Sequence, residues 1–208
     1  MRWEHPELGL LGPDTFLDTF EQQNLLSKLT EWLLDQAIDD IQGLNIGLSI
    51  NVPPELVSEH FSRQLIQICH NKNFETDRLT LELTEQALPK ALQSEKHLVW
   101  LQQQGCHLAI DDFGVGDSSL ARMGQIQFNE LKLDRSLLPQ SQDDRQRPLV
   151  LAHLLHLADD LGMSVVAEGV EKHWQQDLLH QLGCQNLQGF HFAHPMPIKD
   201  LAPFMAAR

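Results

Sequence analysis

The sequence predicts an α/β fold: repeated β/α units around a parallel sheet, of the TIM-like (β/α) barrel type. Three observations carry this. Helix-like and strand-like segments alternate from end to end. Gly105, Gly162 and Gly183 each close a helical pattern and precede a strand by a few residues; glycine takes the left-handed C-cap without penalty. Several strands then alternate polar with apolar residues, whereas strands of an open sheet covered on both faces read as unbroken Val, Ile and Leu. Thr80, Glu82 and Thr84 alternate with Leu79, Leu81 and Leu83, Glu130, Lys132 and Asp134 with Leu131 and Leu133, and Ser49 and Asn51 with Leu48 and Ile50. A polar inner row and an apolar outer row suit a barrel whose mouth is a reaction site.

The elements follow in order. Pro13-Asp14 opens a helical stretch over 15–42, one helix or two, with Phe16, Phe20, Leu25, Leu29 and Leu33 recurring at threes and fours. A strand follows at 45–52. Pro53-Pro54 suits the first turn of a helix reaching residue 71, and 79–84 is a strand. Helix 88–104 leads to strand 107–112, a short helix at 118–123 to strand 130–134, helix 148–161 to strand 164–168, and helix 171–182 to strand 186–192. The count is six strands with no linker among them, so residues 1–208 are expected to form a single domain. A closed barrel has eight strands and roughly 250 residues. The first two strands are therefore expected to be missing or incomplete, since none precedes the first helix.

Composition excludes other classes. Lys and Arg total 15 against 29 Asp and Glu, a net charge of −14. Such a surface repels polynucleotides and anionic lipid, so no nucleic-acid polymer is expected as a partner. No apolar run approaches the ~20 residues of a membrane span, and the first residues carry no signal-peptide pattern. Three scattered cysteines argue against a disulfide framework. A soluble, cytoplasmic protein is the expectation.

Asn51, Glu82, Asp111, Asp112 and Glu168 fall at or near the C-terminal ends of four predicted strands, the end that forms a barrel's mouth. Carboxylates brought together repel unless protonated or neutralised. An all-oxygen set suits hard Mg²⁺ or Mn²⁺ over zinc. Two such ions would activate a water and polarise a phosphoryl oxygen, and Lys132 supplies a cation to orient the nucleophile or stabilise developing charge. The plain alternative, solvated acids at strand ends, fits each residue alone and explains poorly their shared position.

These residues carry a resemblance. Glu82-Leu83-Thr84-Glu85 resembles the Glu-Leu-Thr-Glu signature of EAL-domain cyclic-di-GMP phosphodiesterases, and the run from Ile110 to Leu120 their Asp-Asp-Phe-Gly loop. Leu131-Lys132-Leu133-Asp134, Val166-Ala167-Glu168-Gly169-Val170-Glu171 and Gln188-Gly189-Phe190 are similar to the family's later motifs, in its order; Arg2-Trp3 and His5-Pro6-Glu7 resemble the segment after the name-giving Glu-Ala-Leu. The resemblance implies Mg²⁺- or Mn²⁺-dependent opening of cyclic di-GMP to linear pGpG. It implies that Asn51, Glu82, Asp111, Asp112 and Glu168 hold metal and that Lys132 meets the water. It implies further that Glu85 braces the loop after Asp112, a loop the family also uses in dimer contacts. The resemblance also implies that Arg2, Asp134 and Gln188 meet the substrate.

By that match the name-giving glutamate, a metal ligand in the family, falls three residues before Met1, and Val115 and Asp117 stand where Thr and Tyr are usual. The 208-residue chain is expected to turn over weakly or not at all. The competing expectation is a silent module that binds cyclic di-GMP or a protein. Weaker signals point elsewhere: Asp112-Phe113-Gly114 lacks the other kinase motifs. The histidine pairs 153/156 and 191/194 lack a third zinc ligand, and the cysteines read as packing residues.

Overall fold

The computed structural model describes residues 1–115 and 126–207. The chain opens with an antiparallel hairpin, β1 (Trp3–His5) and β2 (Gly9–Leu11), followed by α1 (Leu17–Gln22) and α2 (Leu26–Asp40). Six parallel strands come next: β3 (Leu48–Asn51), β4 (Leu79–Thr84), β5 (His107–Phe113), β6 (Glu130–Leu133), β7 (Ser164–Ala167) and β8 (Asn186–Leu187). They lie side by side in sequence order in one sheet. The connecting helices are α3 (Glu59–Asn71), α4 (Leu88–Ala91), α5 (Glu95–Gln103), α6 (Arg147–Asp160) and α7 (His173–Gln181), with α8 (Ile198–Ala206) last. Sequential parallel strands joined by helices are the β/α barrel topology predicted, here six strands of it among the described residues. The expected helix at 118–123 lies outside the described residues.

The outer row makes the core. Leu79, Leu81, Leu83, Leu108, Ile110, Leu131 and Leu133 are essentially inaccessible to water. Each withdraws a side chain that contributes about 1.5–3 kcal/mol on burial. They pack among Leu34 and Ile38 of α2, Phe61 and Leu65 of α3, Leu98 and Leu101 of α5, and Leu151 and Ala158 of α6. The opposite row is left to Glu82, Asp111 and Lys132.

Four boundaries differ from the sequence expectation. A strand pair does precede the first helix, but its three-residue strands are too short to show a period. It is held by His5 Nδ1, which accepts from Glu7 and Leu8 N–H at 3.1 and 3.2 Å. Among the described residues it pairs with no strand of the parallel sheet. Pro54 starts a 3₁₀ turn, and α3 begins later, capped by Ser58 Oγ, which accepts from Phe61 N–H at 3.3 Å. The helix expected over 88–104 is broken by a 3₁₀ turn at Leu92–Ser94. The last strand stops at Leu187, because Gly189 presses on the Val170 backbone so closely that a side chain there would overlap it. The chain turns instead, Phe192 N–H donating to the Gly189 carbonyl at 3.0 Å.

Candidate active site

Lys132 is the centre of the site. Flanked by core leucines, it points to the inner face, and its Nζ lies 2.9 Å from Glu82 Oε1, 2.9 Å from Asp111 Oδ1 and 2.8 Å from Glu168 Oε1. The three acids come from β4, β5 and the residue just after β7, so four consecutive strands supply the cluster. Lys132, Glu82 and Asp111 are each less than a tenth exposed.

Asp112 joins them through a backbone irregularity. In a regular strand, adjacent side chains point to opposite faces. Here the β5–β6 register shifts between Ile110 and Phe113, and Asp112 takes a left-handed conformation with φ 53°. Bulges of this kind re-aim a side chain. Phe113 stays buried in the core, while Asp111, Asp112 and Glu168 each bring an oxygen within 4.8 Å of the others. The turn continues at Gly114, whose φ is 105° and where a Cβ would fall 2.6 Å from Leu137 Cδ1. Its N–H donates to Glu85 Oε2 at 2.9 Å.

Four carboxylates around one ammonium carry a formal charge of 1 − 4 = −3. Burial pushes the Glu82 and Glu168 carboxyls above their ordinary value, and Lys132 offsets this only in part. Burial also raises Asp112, with Asp111 adding to it. Burial by itself would lower Lys132, but Glu168, Glu82 and Asp111 outweigh it and hold the ammonium above its ordinary value. One cation shared among three acids is fully satisfied; each acid is not. A partly buried, over-acidic, all-oxygen set with donor atoms this close is fit to hold a divalent cation.

The remaining expected residues sit at varying distance from this centre. Asn51 ends β3 directly beside Glu82 in the strand register and is exposed. Asp134 follows β6 and caps the next turn, Oδ1 accepting from Ser136 N–H at 2.8 Å. Gln188 follows β8 and is exposed, its backbone bonding Ala167 and Val170 at 2.9 and 3.0 Å. Arg2 stands apart, just before β1. Its guanidinium donates to the Met1 carbonyl, and it lines an apolar groove of about 770 Å³ with Trp3, Phe16 and Trp32. Gln175 carries no motif of its own, yet it is buried and bonded to two loops at the mouth; a glutamine at the third position of a helix is its only sequence signal.

A sheet of this topology with acids at its strand ends defines a TIM-like barrel domain with a carboxylate-lined mouth. The EAL domain model matches residues 1–195, and the chain belongs to the EAL domain family. It is 37% identical over 203 residues to the cyclic di-GMP phosphodiesterase RocR of Pseudomonas aeruginosa, covering 94% of this chain and 52% of RocR. It is 34% identical over 216 residues to the bifunctional diguanylate cyclase/cyclic di-GMP phosphodiesterase MucR of the same organism, covering 99% of this chain and 31% of MucR. A solved structure of the PaMucR phosphodiesterase in complex with c-di-GMP superposes with a TM-score of 0.86 at 33% identity, over 96% of this chain and 84% of that one. The chain thus spans about half, or less, of the length of these curated relatives.

Proposed function

We propose that residues 1–208 are a single hydrolytic domain that opens cyclic di-GMP to linear pGpG at a two-ion site of Mg²⁺ or Mn²⁺. The observation that carries this reading is the Lys132 ammonium set within 2.9 Å of three carboxylates from three strands, with Asp112 turned in beside them. Kinship with RocR and MucR supports the substrate. Bound ions would activate a water and polarise a phosphoryl oxygen for in-line displacement. Asn51, Glu82, Asp111, Asp112 and Glu168 hold them. Lys132, kept charged by its three partners, orients the nucleophile and stabilises negative charge on the phosphate; it does not act as the base. Glu85 holds the loop after Asp112 through Gly114, and that loop forms the contact to a second copy. Asp134, Gln188 and Arg2 meet guanine and phosphate. The domain works in the cytoplasm.

The test is calorimetric titration of Mg²⁺ and cyclic di-GMP into the wild-type chain and Asp111→Asn. Nucleotide uptake should require metal and be lost in the variant; heat unchanged by the substitution would overturn the site. Chromatography of the products then separates an enzyme from a silent module, which would bind with metal and release no pGpG.

A further inference from the structure

Gln175 lies in the first turn of α7 and is 6% exposed. Among the described residues its side chain makes three hydrogen bonds, all to backbone. Oε1 accepts from Glu171 N–H and Lys172 N–H, both at 3.0 Å, and Nε2 donates to the Pro139 carbonyl at 3.0 Å. The first two bonds are ordinary helix capping, satisfying donors that a helix start leaves free. The third does nothing for the helix. It reaches 36 residues back in sequence, into the segment that leaves β6.

The two segments so joined are the ones that frame the cluster. Residues 133–139 follow Lys132, and residues 168–172 begin with Glu168. They meet at two further points: Glu168 N–H donates to the Leu133 carbonyl at 2.9 Å, and Gly169, with φ +69°, packs so tightly on Arg135 that a side chain there would overlap its Cβ. On the far side, Val170 N–H donates to the Gln188 carbonyl and His191 N–H to the Val170 carbonyl, each at 3.0 Å. Glu168 is therefore carried by a loop clamped between the ends of β6 and β8, and Gln175 adds a side-chain bolt to the β6 side beyond the Lys132–Glu168 pair.

We infer that Gln175 is a positioning residue for the carboxylate cluster. Through Pro139 it fixes the loop bearing Glu168 against the segment after Lys132, and so sets the spacing of Glu168 from Asp111 and Asp112 on which cation binding depends. The inference rests on the reading of that cluster as a divalent-ion site. Partners one layer behind a metal ligand commonly govern affinity in this way.

The test uses Gln175→Glu and Gln175→Met. The first keeps both capping acceptors but replaces the Nε2 donor with an oxygen facing the Pro139 carbonyl; the second removes all three bonds. Mn²⁺ is titrated calorimetrically into each chain at mildly alkaline pH, where an introduced carboxylate is ionised, with folding checked by circular dichroism. Mn²⁺ affinity should fall about tenfold in Gln175→Glu, and at least as far in Gln175→Met, at unchanged helix content. Should the Met variant not fold, the Glu variant decides. A residue that merely caps its helix would leave Gln175→Glu with wild-type affinity, and that result overturns the inference while the metal site stands. Absence of Mn²⁺ uptake by the wild-type chain overturns both.

Discussion

Lys132 Nζ and Glu168 Oε1 face each other at 2.8 Å across neighbouring parallel strands, and the same nitrogen reaches Glu82 and Asp111 at 2.9 Å. A buried ion pair adds little over well-packed apolar residues, yet removing one partner is costly because the other charge stays buried without compensation.

Lys132→Met is therefore expected to destabilise the chain in metal-free buffer by about 3–5 kcal/mol at neutral pH. Urea unfolding measures this. Added Mn²⁺ should recover most of the loss, since a divalent ion replaces the missing charge among the same acids. A variant as stable as wild type without metal would mean the carboxylates are sufficiently solvated to need no counter-ion.

The same crowding sets the pH dependence. Glu82 and Glu168 titrate above their ordinary value of 4.5. Between that value and the raised one, the folded chain binds more protons than the unfolded chain, so stability falls as pH rises. Lys132, also raised, contributes fully below 10.5 and loses its contribution only as pH passes the higher folded value. Asp134, lowered by the Ser136 bond in spite of its burial, works at the acid end, its contribution vanishing as pH drops below 3.8. Metal-free protein should thus be most stable near pH 4, weaken toward neutrality, and weaken again in strong alkali. With Mn²⁺ the slope from pH 4.5 upward should reverse, because the ion binds ionised carboxylates. Melting temperatures measured across this range with chelator and with Mn²⁺ decide the matter; parallel curves would rule out ion binding at these acids.

Gly169→Ala tests the clamp from its backbone side. The position needs φ +69°, and an added Cβ meets Arg135 Cβ. Left-handed strain for a non-glycine residue costs of order 1–3 kcal/mol, and the overlap adds to it by pushing Glu168 away from β6. The expected result is a lower urea midpoint together with weaker Mn²⁺ binding. Loss of stability with unchanged Mn²⁺ affinity would show that the loop can shift without carrying Glu168 along.

Much of this architecture is written locally. Alternation in Leu79–Thr84 and Glu130–Leu133 fixes both the strands and the face each acid occupies, and the C-cap glycines 105, 162 and 183 take the left-handed conformation their positions imply, with φ 101°, 71° and 95°. What escapes is set by contacts distant in sequence. The hairpin is shorter than any period, β8 ends where Gly189 meets Val170, and Gln175 matters through a carbonyl far up the chain. Asp112 is the clearest case. Its place in the motif is plain in the sequence, but alternation would turn it away from Asp111, and only the slipped register brings both carboxylates to one side.

That slipped register is held from below by Glu85. Its Oε2 accepts from Gly114 N–H at 2.9 Å, two residues past Asp112, and the carboxyl group is itself buried where β4 runs into its 3₁₀ turn. Glu85→Ala leaves the Gly114 donor half-buried and unpaired, which costs about 1–2 kcal/mol. The greater effect should be on the bulge, since Glu85 is the side chain that takes up the Gly114 N–H on the β4 side. Hydrogen exchange at the Gly114 amide is expected to quicken, and Mn²⁺ binding to weaken with it, because Asp112 would lose the conformation that aims it at Asp111 and Glu168. Glu85→Gln retains an acceptor for the same N–H and should keep both properties close to wild type. If exchange at Gly114 were as slow in the alanine variant as in the parent, the bulge would be held by the β5–β6 pairing alone, and Glu85 would have no part in placing Asp112.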